Sequence, residues 1–133
     1  MIYVNYLAIA IATLAAFVFS AVYYSILNKR IVAIRESYVG RGVNVQTGMT
    51  FNKIIIELTR TFVLGLAMAY AVVNAQNISQ AVVVVLWLWV AFPVVLLIGS
   101  VIHERFPVSL ATIHAIDWLV KLLIFATVLT LWR

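Results

Sequence analysis

Six ionisable side chains interrupt long apolar runs, and they are the residues from which chemistry could be built. The last run contains "IHAIDWLVKLLIF", Ile113 to Phe125, which carries His114, Asp117 and Lys121. An earlier run opens "FNKIIIELTR" and carries Lys53, Glu57 and Arg60. At about 100° per residue, each trio falls within an arc of about 60° on its own helix. A carboxylate beside an imidazole and an ammonium is the material of a proton path, an ion site or a buried ion pair. An ionisable residue inside a membrane is a functional hypothesis by default, and each charge costs about 2.5–3.5 kcal/mol at the centre of a helix. The two trios should therefore turn inward and pair across the bundle. The expected pairs are Arg60 with Asp117, and Glu57 with His114 or Lys121, which leaves His114 to titrate.

Two readings of these residues compete: the leading one is a small transporter or channel-like protein, and the alternative is a non-catalytic membrane scaffold or accessory subunit with structural ion pairs. In the alternative, a neutral, dry cluster fixes helix order and register. In the leading one, an inward-facing vestibule lined by Glu57, Arg60, His114, Asp117 and Lys121 carries protons, an ion or a small polar solute. Other constellations are weaker. "HERFP" lacks the second histidine that a metalloprotease helix needs one turn after the first, because Pro107 stands there. His103, Glu104, His114 and Asp117 make a metal site only on paper, since two histidines at no standard spacing are a poor ligand set. No nucleophile has its base and no glycine loop could cradle a phosphate. The chain is expected to be neither an enzyme nor a metal or cofactor protein.

The elements that must position these residues follow from composition. The chain has 133 residues, of which 66% are hydrophobic and 10% charged. Ordinary globular proteins carry about 25% charged residues, so the class is membrane. A spanning helix needs about 20 mostly apolar residues. Four windows qualify, at about 3–27, 52–74, 81–102 and 110–132. This predicts an all-α, four-helix bundle in one membrane domain. The first window lacks a basic leader and is too long for a signal core, so it reads as a retained helix. There is no cysteine, and the net charge of +5 is concentrated in the first connection, residues 28–51. Membrane topology explains that charge without nucleic acid.

Basic residues stay on the cytoplasmic side. Lys29, Arg30, Arg35 and Arg41 in the first connection and Arg105 in the third therefore place both connections inside, and both chain ends outside. Lys29, Arg30, Arg35 and Arg41 are placed to meet lipid phosphates, each contributing about 1 kcal/mol on an anionic surface. The stretch "IVAIRESY", Ile31–Tyr38, reads either as a short amphipathic helix on the cytoplasmic leaflet, broken by "GRG", or as part of a solvated basic loop that fixes topology. Tyr3, Tyr6, Tyr70 and Trp132 mark the outer boundary, and Tyr23 and Tyr24 the inner one. The expected location is the inner (cytoplasmic) membrane, with the lipid bilayer as the first partner.

Helices pack in lipid through small residues and polar contacts. Ala8, Ala12, Ala16 and Ser20 form such a groove on helix 1, and Thr61, Gly65 and Ala69 a shorter one on helix 2, and these two faces are expected to meet. The short links should make helices 2 and 3, and 3 and 4, antiparallel neighbours. Pro93 in "WVAFPVV" frees the carbonyl of Trp89, giving a hinge, a coordinating carbonyl or a static kink. Four short helices leave little room for a solute path, so a homo-oligomer or a subunit of a larger complex is expected.

The opening "VNYLAIAIATLAAFVFSAVYYSILNK", the "W…FP" helix and "GSVIHERFPVSLATIHAIDWLV" together resemble a bacterial family of four-helix membrane proteins of about this length (133 residues), catalogued as a domain of unknown function. The resemblance rests on Tyr24–Ser25, on the turn formed by Glu104, Arg105 and Pro107, and on the polar start of the last helix. Members usually have proline after the Tyr–Ser pair, where Ile26 stands in this chain. The family implies four spans and supplies no activity. Small multidrug exporters and fluoride channels share the helix number, but the first need a glutamate in helix 1 and the second a glycine–asparagine signature, and neither is present.

Overall fold

The computed structural model describes residues 3–39 and 50–132, and all regular structure among them is helical. Helix α1 runs Tyr6–Val39, α2 Phe51–Ala71, α3 Ile78–Trp89, α4 Val95–His103 and α5 Val108–Leu131. A π-helical turn, Val90–Val94, joins α3 to α4, so the two make one span, Ile78–His103. Four helices are thus long and apolar enough to cross a bilayer, and the protein is a multi-pass, all-α membrane protein.

The inside-out character of the surface supports this. Leu7, Ile11, Leu14, Val18, Val22 and Ile26 are all exposed, spaced three or four apart along α1. Water would oppose such a stripe, whereas acyl chains solvate it. Tyr3, Tyr6, Tyr70 and Trp132 are also exposed, as residues of an interfacial aromatic belt should be. Asn5 donates from Nδ2 to the carbonyl of Trp132 at 3.3 Å, which puts the start of α1 beside the end of α5 and makes these helices antiparallel.

Helix α5 is central. It packs extensively on α1 and α3, while α2 leans mainly on α1. The expected side-by-side packing of helices 2 and 3 does not occur, although α3 does lie against the last helix. The link between α2 and α3 is long enough to carry the chain across the end of the bundle. It closes with Asn77 capping Gln80 N at 2.9 Å, and Gln80 Oε1 accepts in return from Gln76 N at 2.8 Å, a variant of the reciprocal capping box.

The small-residue faces do meet, with a third party between them. Ala8, Ala12 and Ala16 are fully buried, Ser20 and Thr61 are buried, and Ala69 is half-buried. A Cβ at Gly65 would lie 2.8 Å from Ile9 Cγ2 on α1 and 2.6 Å from Phe125 Cε1 on α5. Gly65 is thus the point where three helices converge, and the fully buried Phe125 ring occupies the space a side chain would need.

The first connection differs from the expected loop over 28–51. Helix α1 continues unbroken to Val39. Leu27, Ile31 and Ile34 repeat at helical spacing, and no glycine or proline interrupts them. They pack with Leu110, Ile113 and Phe106 in a second apolar cluster at this end of the bundle. The 34 residues of α1 span about 51 Å against a hydrocarbon core of about 30 Å. Lys29 and Arg30 are exposed on this extension and Arg35 is half-buried; Arg41 lies outside the described residues.

Pro93 is buried within the π turn. A widened turn accommodates a proline ring and its missing N–H with little bending elsewhere. The adjacent Trp89 donates Nε1 to the carbonyl of Ala115 on α5 at 2.8 Å, which ties the irregular turn to the central helix. That bond favours the static-kink reading over a hinge.

Candidate functional site: a buried polar cluster between α1 and α5

The polar cluster is built from two helical faces. On α1, Ser20 and Tyr24 stand one turn apart and continue the stripe of Ala8, Ala12 and Ala16 at four-residue spacing. On α5, His114, Asp117 and Lys121 share one arc. Antiparallel packing of the two stripes brings the sets face to face.

Asp117 is the hub, with 3% of its surface exposed. Ser20 Oγ donates to its Oδ1 in a short hydrogen bond. Its Oδ2 receives the Tyr24 hydroxyl at 3.2 Å and lies 3.2 Å from Lys121 Nζ. The Tyr24 oxygen is also 2.8 Å from His114 Nδ1. A phenol has one proton. When it donates to ionised Asp117, its oxygen must accept from His114 Nδ1–H, so the bonds run in one direction from imidazole through phenol to carboxylate. Two more contacts fix the frame. Tyr23 donates to the carbonyl of Ile113 at 2.9 Å, and the rings of Phe106 and Tyr24 flank His114 at 6.1 and 5.7 Å between centroids.

Phe106 reaches that position because the turn before α5 is sharp. Arg105 has φ 55°, in the left-handed region, and the Phe106 N–H bonds back to the carbonyl of Ser100 at 3.2 Å. A non-glycine residue there costs roughly 1–2 kcal/mol, a cost offset by burial of Phe106 against the second apolar cluster.

The expected pairing is corrected in both halves. Asp117 pairs with Lys121, one turn along the same helix, and Arg60 pairs with Glu57 on α2. The reason lies in how α2 docks. It buries Thr61, Gly65 and Met68, and Arg60 projects about 100° around the helix from Thr61. Its side chain remains 62% exposed. Lys121, by contrast, needs no second helix to reach Asp117. Glu57, Arg60, Lys121 and Trp118 instead line a shared groove of about 480 Å³ between α2 and α5, floored by Val63, Leu64 and Ala67. His114, Asp117 and Lys121 are therefore brought together, while Glu57 and Arg60 stand across the groove from Lys121. Lys53 remains near the start of α2, its N–H capped by Thr50.

Tyr24 and Ser20 were expected in other roles, as interfacial aromatic and packing residue. Both face Asp117 instead. The signal for this lay in their spacing, because 16, 20 and 24 continue one helical row that the alanines show to be buried. Among the described residues, no three acidic or imidazole groups converge as a metal site would require.

The family model described as "Protein of unknown function (DUF1761)" matches residues 7–130. The chain belongs to the DUF1761 family. The match takes in all four spans and every residue of the cluster, so the polar site lies within the DUF1761 domain itself. The family description assigns it no activity, and no curated protein and no solved structure matches this DUF1761 chain.

Proposed function

We propose that the protein is a non-catalytic membrane scaffold or accessory subunit of the inner membrane, in which the α1–α5 cluster is a structural clamp. One observation carries this reading: the Asp117 carboxylate is only 3% exposed, and Ser20, Tyr24 and Lys121 meet its two oxygens. Charge balance supports it, since Asp117–Lys121 and Glu57–Arg60 each sum to zero. A pathway for ions needs sites that bind and release through water, and a carboxylate enclosed by three protein donors serves that purpose poorly. The bilayer is one partner of such a subunit, and a second copy or a larger membrane complex is the other.

The test compares single and paired neutralisation. Asp117→Leu or Lys121→Met alone leaves an unpaired buried charge, a loss of about 3–5 kcal/mol in soluble proteins. Both should lower the thermal midpoint in detergent markedly. The double variant Asp117→Leu/Lys121→Met should recover more than half of the loss. Wild-type proteoliposomes should pass protons no faster than empty vesicles, followed with an internal pH dye.

A second reading, a small transporter or channel-like protein, draws on the unbroken chain from His114 through Tyr24 to Asp117. A wild-type proton flux abolished by Tyr24→Phe and by His114→Gln, with thermal midpoints retained, would replace the clamp with that reading.

A further inference from the structure

The groove between α2 and α5 has a property that the clamp does not use. Lys121 is 9% exposed, and its ammonium has three donors. Among the described residues its ion-pair partner is Asp117, with the Trp118 ring 5.8 Å away as a cation–π neighbour. At least one N–H is left to face the groove that Lys121 lines. The nearby groove wall includes Val63, Leu64 and Ala67, and an unmet donor in hydrocarbon costs several kcal/mol. Arg60 adds to the demand. Of its five donors, Nη1 bonds to Glu57, and the side chain is otherwise open to the same groove. Lys121, Arg60 and Glu57 thus border a cavity whose remaining wall is Val63, Leu64, Ala67 and Trp118, with Thr59 and Thr61 from α2.

We propose that this groove binds a single-chain amphiphile with a carboxylate head, of the fatty-acid class. The carboxylate would accept from Lys121 and Arg60, matching the planar fork of the guanidinium. The acyl chain would lie along Val63, Leu64 and Ala67, with Trp118 at the head end. Three features select this occupant. The N–H donors of Lys121 and Arg60 beyond their ion pairs with Asp117 and Glu57 call for an oxygen acceptor. The volume, about 480 Å³, lies within the range of small-molecule sites of about 300–1,000 Å³ and suits one acyl chain better than two. The depth also fits: Arg60 lies nine residues into α2, about 13 Å from its start, deeper than a phospholipid phosphate rests. The inference is independent of the clamp, because Asp117 keeps its three donors whether the groove is filled or empty.

The experiment uses full-length protein in nanodiscs of zwitterionic phospholipid. Dibromostearate is the probe, and quenching of tryptophan fluorescence is the readout. Saturable quenching is expected with dibromostearate and not with its methyl ester. Arg60→Gln, at a side chain that is 62% exposed, should weaken the apparent affinity about tenfold, or about 1.4 kcal/mol, with the thermal midpoint measured alongside to confirm folding. Trp118→Phe should remove most of the saturable component. In the fold-preserving background Asp117→Leu/Lys121→Met, binding should weaken at least as much.

Three results would overturn the proposal. Equal quenching by the methyl ester would mean ordinary partitioning into lipid. Displacement by phosphatidylglycerol at the same concentration as by stearate would make the occupant a phosphate headgroup. Dissociation of an oligomer by Arg60→Gln, with quenching unchanged, would make the groove a protein contact. A failure of the clamp would appear elsewhere, as no recovery of stability in the double variant.

Discussion

Asp117 shows why residue type alone does not assign a role inside a membrane. Its three donors differ in strength. Interhelical hydrogen bonds in membrane proteins average about 0.6 kcal/mol and reach about 1.7, while bonds to a charged group reach about 1.5–3 kcal/mol. Ser20→Ala should therefore cost about 1 kcal/mol, and Tyr24→Phe somewhat more, because the phenol serves both Asp117 and His114. Chemical denaturation in mixed micelles would check the order, and a larger loss from Ser20→Ala would remove Tyr24 from the centre of the network. Gly65 gives a steric test at the same scale. A methyl group there collides with Phe125 and Ile9, and overpacking costs about 1–3 kcal/mol. Gly65→Ala should destabilise, and Phe125→Leu should relieve part of that loss when combined with it. If the two losses simply add, the three helices do not converge as described.

At the scale of elements, α1 is the clearest departure from expectation. Positive charge at Lys29, Arg30 and Arg35 suggests a boundary where the sequence turns polar, and the hydrophobic window does end near Leu27. The helix persists because its apolar row persists, through Leu27, Ile31 and Ile34, and because α5 begins early enough to receive it. Ile31 is 6% exposed. Ile31→Asn should release the extension from Leu110 and Ile113, and limited trypsin treatment should then cut at Lys29 or Arg30 several-fold faster than in the wild-type protein. Unchanged digestion would mean that the extension holds without this contact. The π turn makes the complementary point: Pro93 was legible as an irregularity, but only the neighbouring Trp89 bond to α5 shows it to be anchored.

For the whole molecule, the even number of spans puts both ends on one side, and the Asn5–Trp132 contact agrees. The positive-inside rule predicts that this side is the outer one. Single cysteines at Ser37 and Asn77, both exposed, can be introduced into a chain that has none. A membrane-impermeant thiol reagent applied to right-side-out cells should label Asn77→Cys and spare Ser37→Cys. The reverse pattern would invert the assignment.

Much of this was legible in the sequence, and the division has a physical basis. Span number, helical class, the stripe of Ala8, Ala12, Ala16 and Ser20, and the presence of buried charge on one face of α5 all depend on local spacing and on the cost of placing polar groups in hydrocarbon. Those quantities are properties of single helices, so one chain of letters contains them. Partner choice is different. Which base meets Asp117, whether Arg60 turns inward, and whether helices 2 and 3 touch depend on the rotation and tilt of each helix about its axis. Small-residue packing at Gly65, Ile9 and Phe125 sets those rotations; it left Arg60 facing the groove, so that Lys121, one turn along the same helix, is the base that meets Asp117.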